Sequence, residues 1–236
     1  MNPVLVALDV DSAAKAVGLA DGLRGTVGGY KIGHQLFTAE GPALVKALVA
    51  RGDLVFLDLK YHDIPNTVAG AVTSAAALGV WMVNVHAAGG RPMMEAARRA
   101  ADEAAGALGR RGPLVIAVTV LTSMDAATLA SVGVAASPVD HVVRLARMTQ
   151  DAGLDGVVAS PQEIAAIRQA CGADFAIVTP GIRGGSAAAG PDDQHRTSTP
   201  AGAMAAGASY LVIGRPITAA ADPRSAAEGI AREIGI

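Results

Sequence analysis

The sequence predicts a single-domain α/β fold, a (β/α)8 barrel of the TIM type over residues 1–236. Three observations carry that expectation. Short apolar runs recur at a steady cadence, each too brief for a helix. Most of them are apolar on both alternations, as strands covered on two faces should be. The segments between them carry helix punctuation, and no shift in composition divides the chain into two domains. An open doubly wound sheet is the structural alternative. It usually has fewer strands and a Gly-rich fingerprint after the first, whereas here the first run leads into "DVDSAAK".

In chain order the strand candidates are "PVLVALD" (3–9), "VGGYKIG" (27–33), "DLVFLDLK" (53–60) and "VWMVNVH" (80–86). They continue with "PLVIAVTVL" (113–121), "LDGVVAS" (154–160), "DFAIVTP" (174–180) and "SYLVIG" (209–214). Between them, "GPALVKALVARG" has Pro42 just inside a helix start and Gly52 just past its end. A capping-box pattern runs from Ser160 to Glu163, with Pro161 in the first turn. Ser137, Thr199 and Asp222 each precede a proline and open a further helix. Two segments break the cadence, residues 122–137 and 181–196, after the fifth and seventh strands. Both follow strand C-termini, the end of a barrel where active sites form. The second, rich in Gly, Ala and Ser, suits a lid; a bland surface loop is the alternative.

Composition excludes several classes. Half the chain is apolar (51%) and 17% is charged, enough to bury a sizeable core. A formal net charge of −2 supplies no basic field, so neither nucleic acid nor an anionic membrane is an expected partner. Cys171 is the only cysteine, which rules out an internal disulfide and a cysteine-based zinc cage and favours a reducing compartment. The N-terminal "MNPVLVALDVD" lacks the basic start of a signal peptide, and no apolar stretch approaches a membrane span. A soluble cytoplasmic protein is the expectation.

Polar residues gather at the predicted strand ends: Asp9, Lys31, Asp58, Lys60, His86, Thr122, Ser123 and Arg215. "DLKYHDI" (58–64) places two acids and a lysine within six residues of a buried strand's end. Alternation puts Asp58 and Lys60 on one face, pointing together into the barrel mouth. At about 4 Å and an effective dielectric near 20, an acid–lysine contact is worth roughly 4 kcal/mol before desolvation. Lys60 then acts as a proton donor or fixed cation rather than as a neutral amine nucleophile. A salt bridge that merely closes the barrel end is the bland alternative. "LVIGRPIT" (211–218) sets Gly214 and Arg215 directly after the eighth strand. Gly lets the backbone approach an anion and Arg supplies a fork, at the place where barrels commonly hold phosphate. His34, His62 and His141 lack metal-ligand spacing and read as surface or packing residues, and Trp81 and the methionines read as core. Asp192 and Asp193 read as a solvated pair.

Taken together, "DLKYHDIPNT" (58–67), "VLTSM" (120–124), "TPGIR" (179–183), "DDQHR" (192–196) and "VIGRPI" (212–217) resemble the bacterial orotidine 5′-phosphate decarboxylases, over essentially the whole chain. The "ALD" opening and "YKIG" with Lys31 match as well. The Asp-x-Lys-x-x-Asp core is shared with a wider suprafamily; "LTS" and "DDQ-x-R" make the resemblance specific. It implies a carboxy-lyase that converts orotidine 5′-phosphate to UMP in pyrimidine biosynthesis, as a homodimer with shared active sites and with no metal or organic cofactor. It further implies that Lys60 protonates C6, that Asp58 lies beside the departing carboxylate, and that Asp9 and Lys31 hold the ribose hydroxyls. Asp63 and Thr67 would reach the partner's site, and Ser123 beside Thr122 would read the pyrimidine edge. Arg183, Gln194, Gly214 and Arg215 would clasp the phosphate. Two rivals remain: a magnesium-dependent keto-sugar-phosphate decarboxylase or hexulose-phosphate synthase of the same suprafamily, and a non-catalytic barrel that binds a phosphorylated metabolite. The first needs an acid that the "YKIG" strand lacks.

Overall fold

Eight parallel strands pair in sequence order, and the last returns to the first. The computed structural model describes residues 1–183 and 197–236. The strands are β1 (Val4–Ala7), β2 (Gly29–Gly33), β3 (Val55–Tyr61), β4 (Met82–His86), β5 (Leu114–Val118), β6 (Gly156–Val158), β7 (Ala176–Thr179) and β8 (Tyr210–Ile213). Closure is explicit in the register, where Val4, Leu5 and Val6 of β1 lie opposite Leu211, Val212 and Ile213 of β8. All eight predicted strands are present.

The double-sided apolar pattern has its reason in two separate layers. Leu5 and Ala7 pack with Phe56, Met82, Ile116, Val178 and Val212 to fill the barrel. Their neighbours Val4, Val6 and Leu8 belong to the larger cluster shared with the surrounding helices. Trp81 and Tyr210, edge to face at 5.2 Å, join the inner cluster beside Leu114. No described helix is long and apolar enough to cross a membrane.

The helices are α1 (Ala13–Leu23), α2 (His34–Ala50), α3 (Pro65–Ala77), α4 (Arg91–Ala107), α5 (Ala126–Ser131), α6 (Pro138–Asp151), α7 (Ile164–Cys171), α8 (Pro200–Ala206), α9 (Arg215–Thr218) and α10 (Pro223–Glu233). Ser137, Thr199 and Asp222 accept N–H bonds from Asp140, Gly202 and Ser225 at 3.2, 3.1 and 3.0 Å, each with a proline in the first turn. Ser160 instead caps a 3₁₀ turn (Pro161–Glu163) through Gln162 N–H, and α7 follows that turn. Two helical stretches escaped the sequence reading. Helix α2 begins at His34, eight residues before Pro42, because its cap is Gly33, which has no side chain to announce it. The break at Gly41 (φ 66°) separates that first part from the helix expected after Pro42. Within residues 122–137, Asp125 caps the short α5 by accepting from Thr128 N–H at 2.8 Å.

Candidate active site

The strand C-termini open into a cavity of about 470 Å³ with an apolar floor of Ala7, Phe56, Val158 and Val212. On one side four alternating charges form a chain. Asp9 Oδ1 lies 3.0 Å from Lys31 Nζ, Lys31 lies 3.3 Å from Asp58 Oδ2, and Asp58 Oδ1 lies 2.8 Å from Lys60 Nζ. Lys31 and Asp58 are buried, with about a tenth of each side chain exposed, whereas Lys60 is 27% exposed and Asp9 54%. Depth therefore falls on the central pair, and the two outer groups face the cavity opening.

The buried pair stays ionised because each charge is the other's compensation. Burial pushes the Asp58 carboxyl up, but Lys31, Lys60 and the hydrogen bonds from Lys60 and Asn84 outweigh it and hold the pKa below the usual value. Burial likewise opposes the Lys31 charge, and Asp58 and then Asp9 overcome it, so the ammonium is held above the usual lysine value. Gly33 leaves room for this array: a Cβ there would come within 2.8 Å of Lys31 Nζ and 3.4 Å of Asp9 Oδ1, and the end of the lysine would have to shift.

Asp58 and Lys60 do point together, but not through a regular strand. Lys60 has φ 48°, the only positive φ of a non-glycine among the described residues, and the β3–β4 register shifts between Leu57 and Tyr61. Nearby, burial followed by the charges of His62 and Lys60 lowers the His86 pKa to about 4, so this imidazole is neutral at neutral pH. Its ring lies 5.4 Å from that of His62.

Asp9, Lys31, Asp58, Lys60, Thr122, Arg183, Gly214 and Arg215 all line the one cavity. Among the described residues a methyl added at Gly214 would meet only Ala7 Cβ, at 3.6 Å, an ordinary contact, so their packing does not demand glycine there. Ser123 is exposed and is not part of the cavity wall. Asp63 and Thr67 are exposed and are not part of the cavity wall, with the Asp63 carboxylate accepting Ile64 N–H at 2.6 Å. Among the described residues, Lys60 is thus ion-paired to Asp58 alone within its chain. Gln194, Asp192 and Asp193 lie outside the described residues. Of the histidines set aside, His34 and His62 are exposed, and His141 is buried with Nδ1 2.8 Å from the Arg144 guanidinium. Among the described residues no three His, Cys, Asp or Glu side chains are placed to hold a metal ion.

Sequence reasoning missed Gln35 and Thr218, which line the cavity from α2 and α9, and Asn84, which is buried under the charges. Asn84 donates from Nδ2 to Asp58 Oδ1 at 2.7 Å. One signal was available for it: a lone amide at an inward-facing position of the otherwise apolar "WMVNV".

Comparison with known proteins follows the same outline. The family model described as orotidine 5′-phosphate decarboxylase/HUMPS matches residues 2–230. A protein named orotidine 5′-phosphate decarboxylase from Chromobacterium violaceum is 56% identical, covering 100% of this chain and 92% of the relative. One of the same name from Halorhodospira halophila is 58% identical over 98% of this chain and 95% of its own length. The crystal structure of the orotidine 5′-phosphate decarboxylase from Lactobacillus acidophilus superposes with a TM-score of 0.87 at 37% identity, covering 100% of both chains.

Proposed function

The chain belongs to the orotidine 5′-phosphate decarboxylase/HUMPS family, and within it we propose that it converts orotidine 5′-phosphate to UMP and CO2 without a metal or organic cofactor. The observation that carries this reading is the Asp9–Lys31–Asp58–Lys60 chain, which ends in an ammonium at the edge of an apolar-floored cavity. Decarboxylation breaks the C6–carboxylate bond and leaves the electron pair on a ring carbon with no adjacent carbonyl to absorb it as an enolate. A fixed Lys60 ammonium stabilises that pair and then transfers its proton to C6, after which solvent reprotonates the amine. Asp58, beside the scissile carboxylate, opposes the substrate's charge more than the product's. The same array disfavours the metal-dependent reading of the suprafamily. Among the described residues the acids of the cavity wall are Asp9 and Asp58, and both are already compensated by Lys31 and Lys60.

In this reading Asp9 and Lys31 bind the ribose hydroxyls, and Thr122 meets the pyrimidine edge, where Ser123, outside the cavity wall as it stands, would have to turn inward to join it. Arg183, Gln194, Gly214 and Arg215 hold the phosphate. Binding of that remote group supplies the energy that organises the reacting end. The test is the fall in orotidine 5′-phosphate absorbance, with UMP identified as product, in buffer with and without a chelator. Turnover that is equal in both supports the proposal; no turnover, or turnover abolished by the chelator, sinks it.

Two predictions attach to this assignment. In Arg215→Ala, loss of one charge-assisted phosphate contact should cost on the order of 1.5–3 kcal/mol in kcat/KM. Steady-state kinetics within twofold of the unaltered protein would remove Arg215 from the site. The second concerns assembly, since the exposed Asp63 and Thr67 point the reading toward a homodimer whose partner they serve. Inactive Lys60→Ala and Asp63→Ala protomers, mixed and allowed to exchange, should then recover activity, because one of the two sites in a mixed dimer holds both residues. No recovery after demonstrated exchange would mean that each chain builds its own site.

A further inference from the structure

We infer that Asn84 is a positioning residue for Lys60, holding a strained stretch of β3 so that the ammonium is aimed at the reacting carbon. The inference rests on the decarboxylase reading above and deepens it. Phe56 and Leu57 of β3 lie opposite Met82 and Val83 of β4, but the next pair is Tyr61 opposite Val85. Four steps on β3 therefore match two on β4, and the surplus bulges at residues 58–60. Bulges re-aim side chains beside active sites, at the cost of unpaired backbone groups. Here the re-aimed residue is Lys60, in a left-handed conformation that a side chain rarely adopts.

One side chain satisfies what the bulge leaves open. Asn84 is fully buried, and its Oδ1 accepts the Lys60 N–H at 2.8 Å, in place of a strand carbonyl. The Nδ2 of the same amide donates at 2.7 Å to Asp58 Oδ1, the oxygen that also receives Lys60 Nζ at 2.8 Å. The amide thus ties together the backbone of the proton donor and the carboxylate that holds its ammonium. Its orientation is forced: the reverse would set NH2 against N–H and oxygen against carboxylate. An ionised Asp would keep the acceptor and lose the donor, and Ser offers one short hydroxyl for two partners. An orienting group of this kind, when lost, acts on rate rather than on substrate affinity, because it touches no substrate.

The experiment compares Asn84→Ala and Asn84→Asp with the unaltered protein, each alone and, for alanine, in a Lys60→Ala background. Asn84→Ala should lower kcat on the order of 100-fold, while KM and the Kd of UMP stay within about threefold. In the Lys60→Ala background, where there is no ammonium to aim, the same change should lower the residual single-turnover rate by less than about threefold. Asn84→Asp should be impaired at neutral pH and recover relative to the unaltered protein as pH falls. Its protonated carboxyl can donate to Asp58 and still accept from Lys60 N–H. Asp9, Lys31, His62 and His86 lie around this array in both proteins, so the ratio of the two profiles removes their shared contribution. Equal losses with and without Lys60, a rise in KM at unchanged kcat, or a flat activity ratio for Asn84→Asp would each overturn the inference. So would failure of both single variants to fold, which would make Asn84 structural only. If the unaltered chain releases no CO2, the decarboxylase reading and this inference fall together; an active decarboxylase indifferent to Asn84 removes only the inference.

Discussion

Lys60→Ala should fold normally and lose more than the 10²–10⁴-fold that a general acid alone typically contributes. The larger loss follows from the double duty proposed for one group, which stabilises the developing carbanion and then protonates it. Folding is spared for reasons visible in the array. Lys60 is the more exposed of its two lysines, 27% against 10% for Lys31, so truncation removes little packed surface. Asp58 is not orphaned by the change, because Lys31 stays 3.3 Å from Oδ2 and Asn84 donates to Oδ1. Alanine at φ 48° inherits the backbone strain already present and adds none. The measurement is single-turnover decarboxylation at enzyme excess, with circular dichroism to establish the fold. A folded variant that keeps a tenth of the original rate would exclude Lys60 as the proton donor.

The sequence made the barrel and most of its charged mouth legible because both depend on local pattern. Eight doubly apolar runs need cover on both faces, and here an inner packing layer and an outer ring of helices supply it, as the Leu5/Val6 division between the two clusters shows. Alternation predicted that Asp58 and Lys60 meet, which the structure achieves through the β3 bulge instead, and the position after β8 brought Gly214 and Arg215 to the same cavity. What stayed hidden depends on partners distant in sequence. No local pattern announces that β3 carries a bulge, since the surplus is defined only against β4. Asn84 gained meaning from the two groups it bonds, and Lys31 from Asp58, 27 positions away on the neighbouring strand. The start of α2 was unreadable because a glycine caps it, and α5 because a single capped turn and a half carries too few apolar positions for a period.

Asp58→Ala tests the other half of the array and should act on stability as well as on rate. Removing one partner of a buried ion pair leaves an uncompensated charge and typically costs about 3–5 kcal/mol. Here Lys31, with about a tenth of its side chain exposed, would retain only Asp9, itself 54% exposed. The pH dependence gives the loss a distinctive sign. In the unaltered protein Asp58 is held below the ordinary 3.8, so its contribution is complete above that value and is lost as pH falls through the folded pKa. Lys31 is held above the ordinary 10.5, so its contribution is complete below that value and is lost as pH rises through the folded pKa. Without Asp58 the Lys31 charge loses the larger of its two compensating acids, so burial should draw its pKa below that of the unfolded chain. The folded state then releases its proton first, and the Lys31 contribution to stability grows as pH rises toward 10.5 instead of holding level. Tyr30, pushed up to about 12 mainly by burial, adds the same alkaline loss to both proteins and cancels in their difference. Denaturant unfolding from pH 7 to about 10.5 should therefore show the stability gap between variant and unaltered protein narrowing with pH. A gap that is absent at pH 7, or that stays constant into the alkaline range, would mean that Lys31 does not depend on Asp58 for its charge.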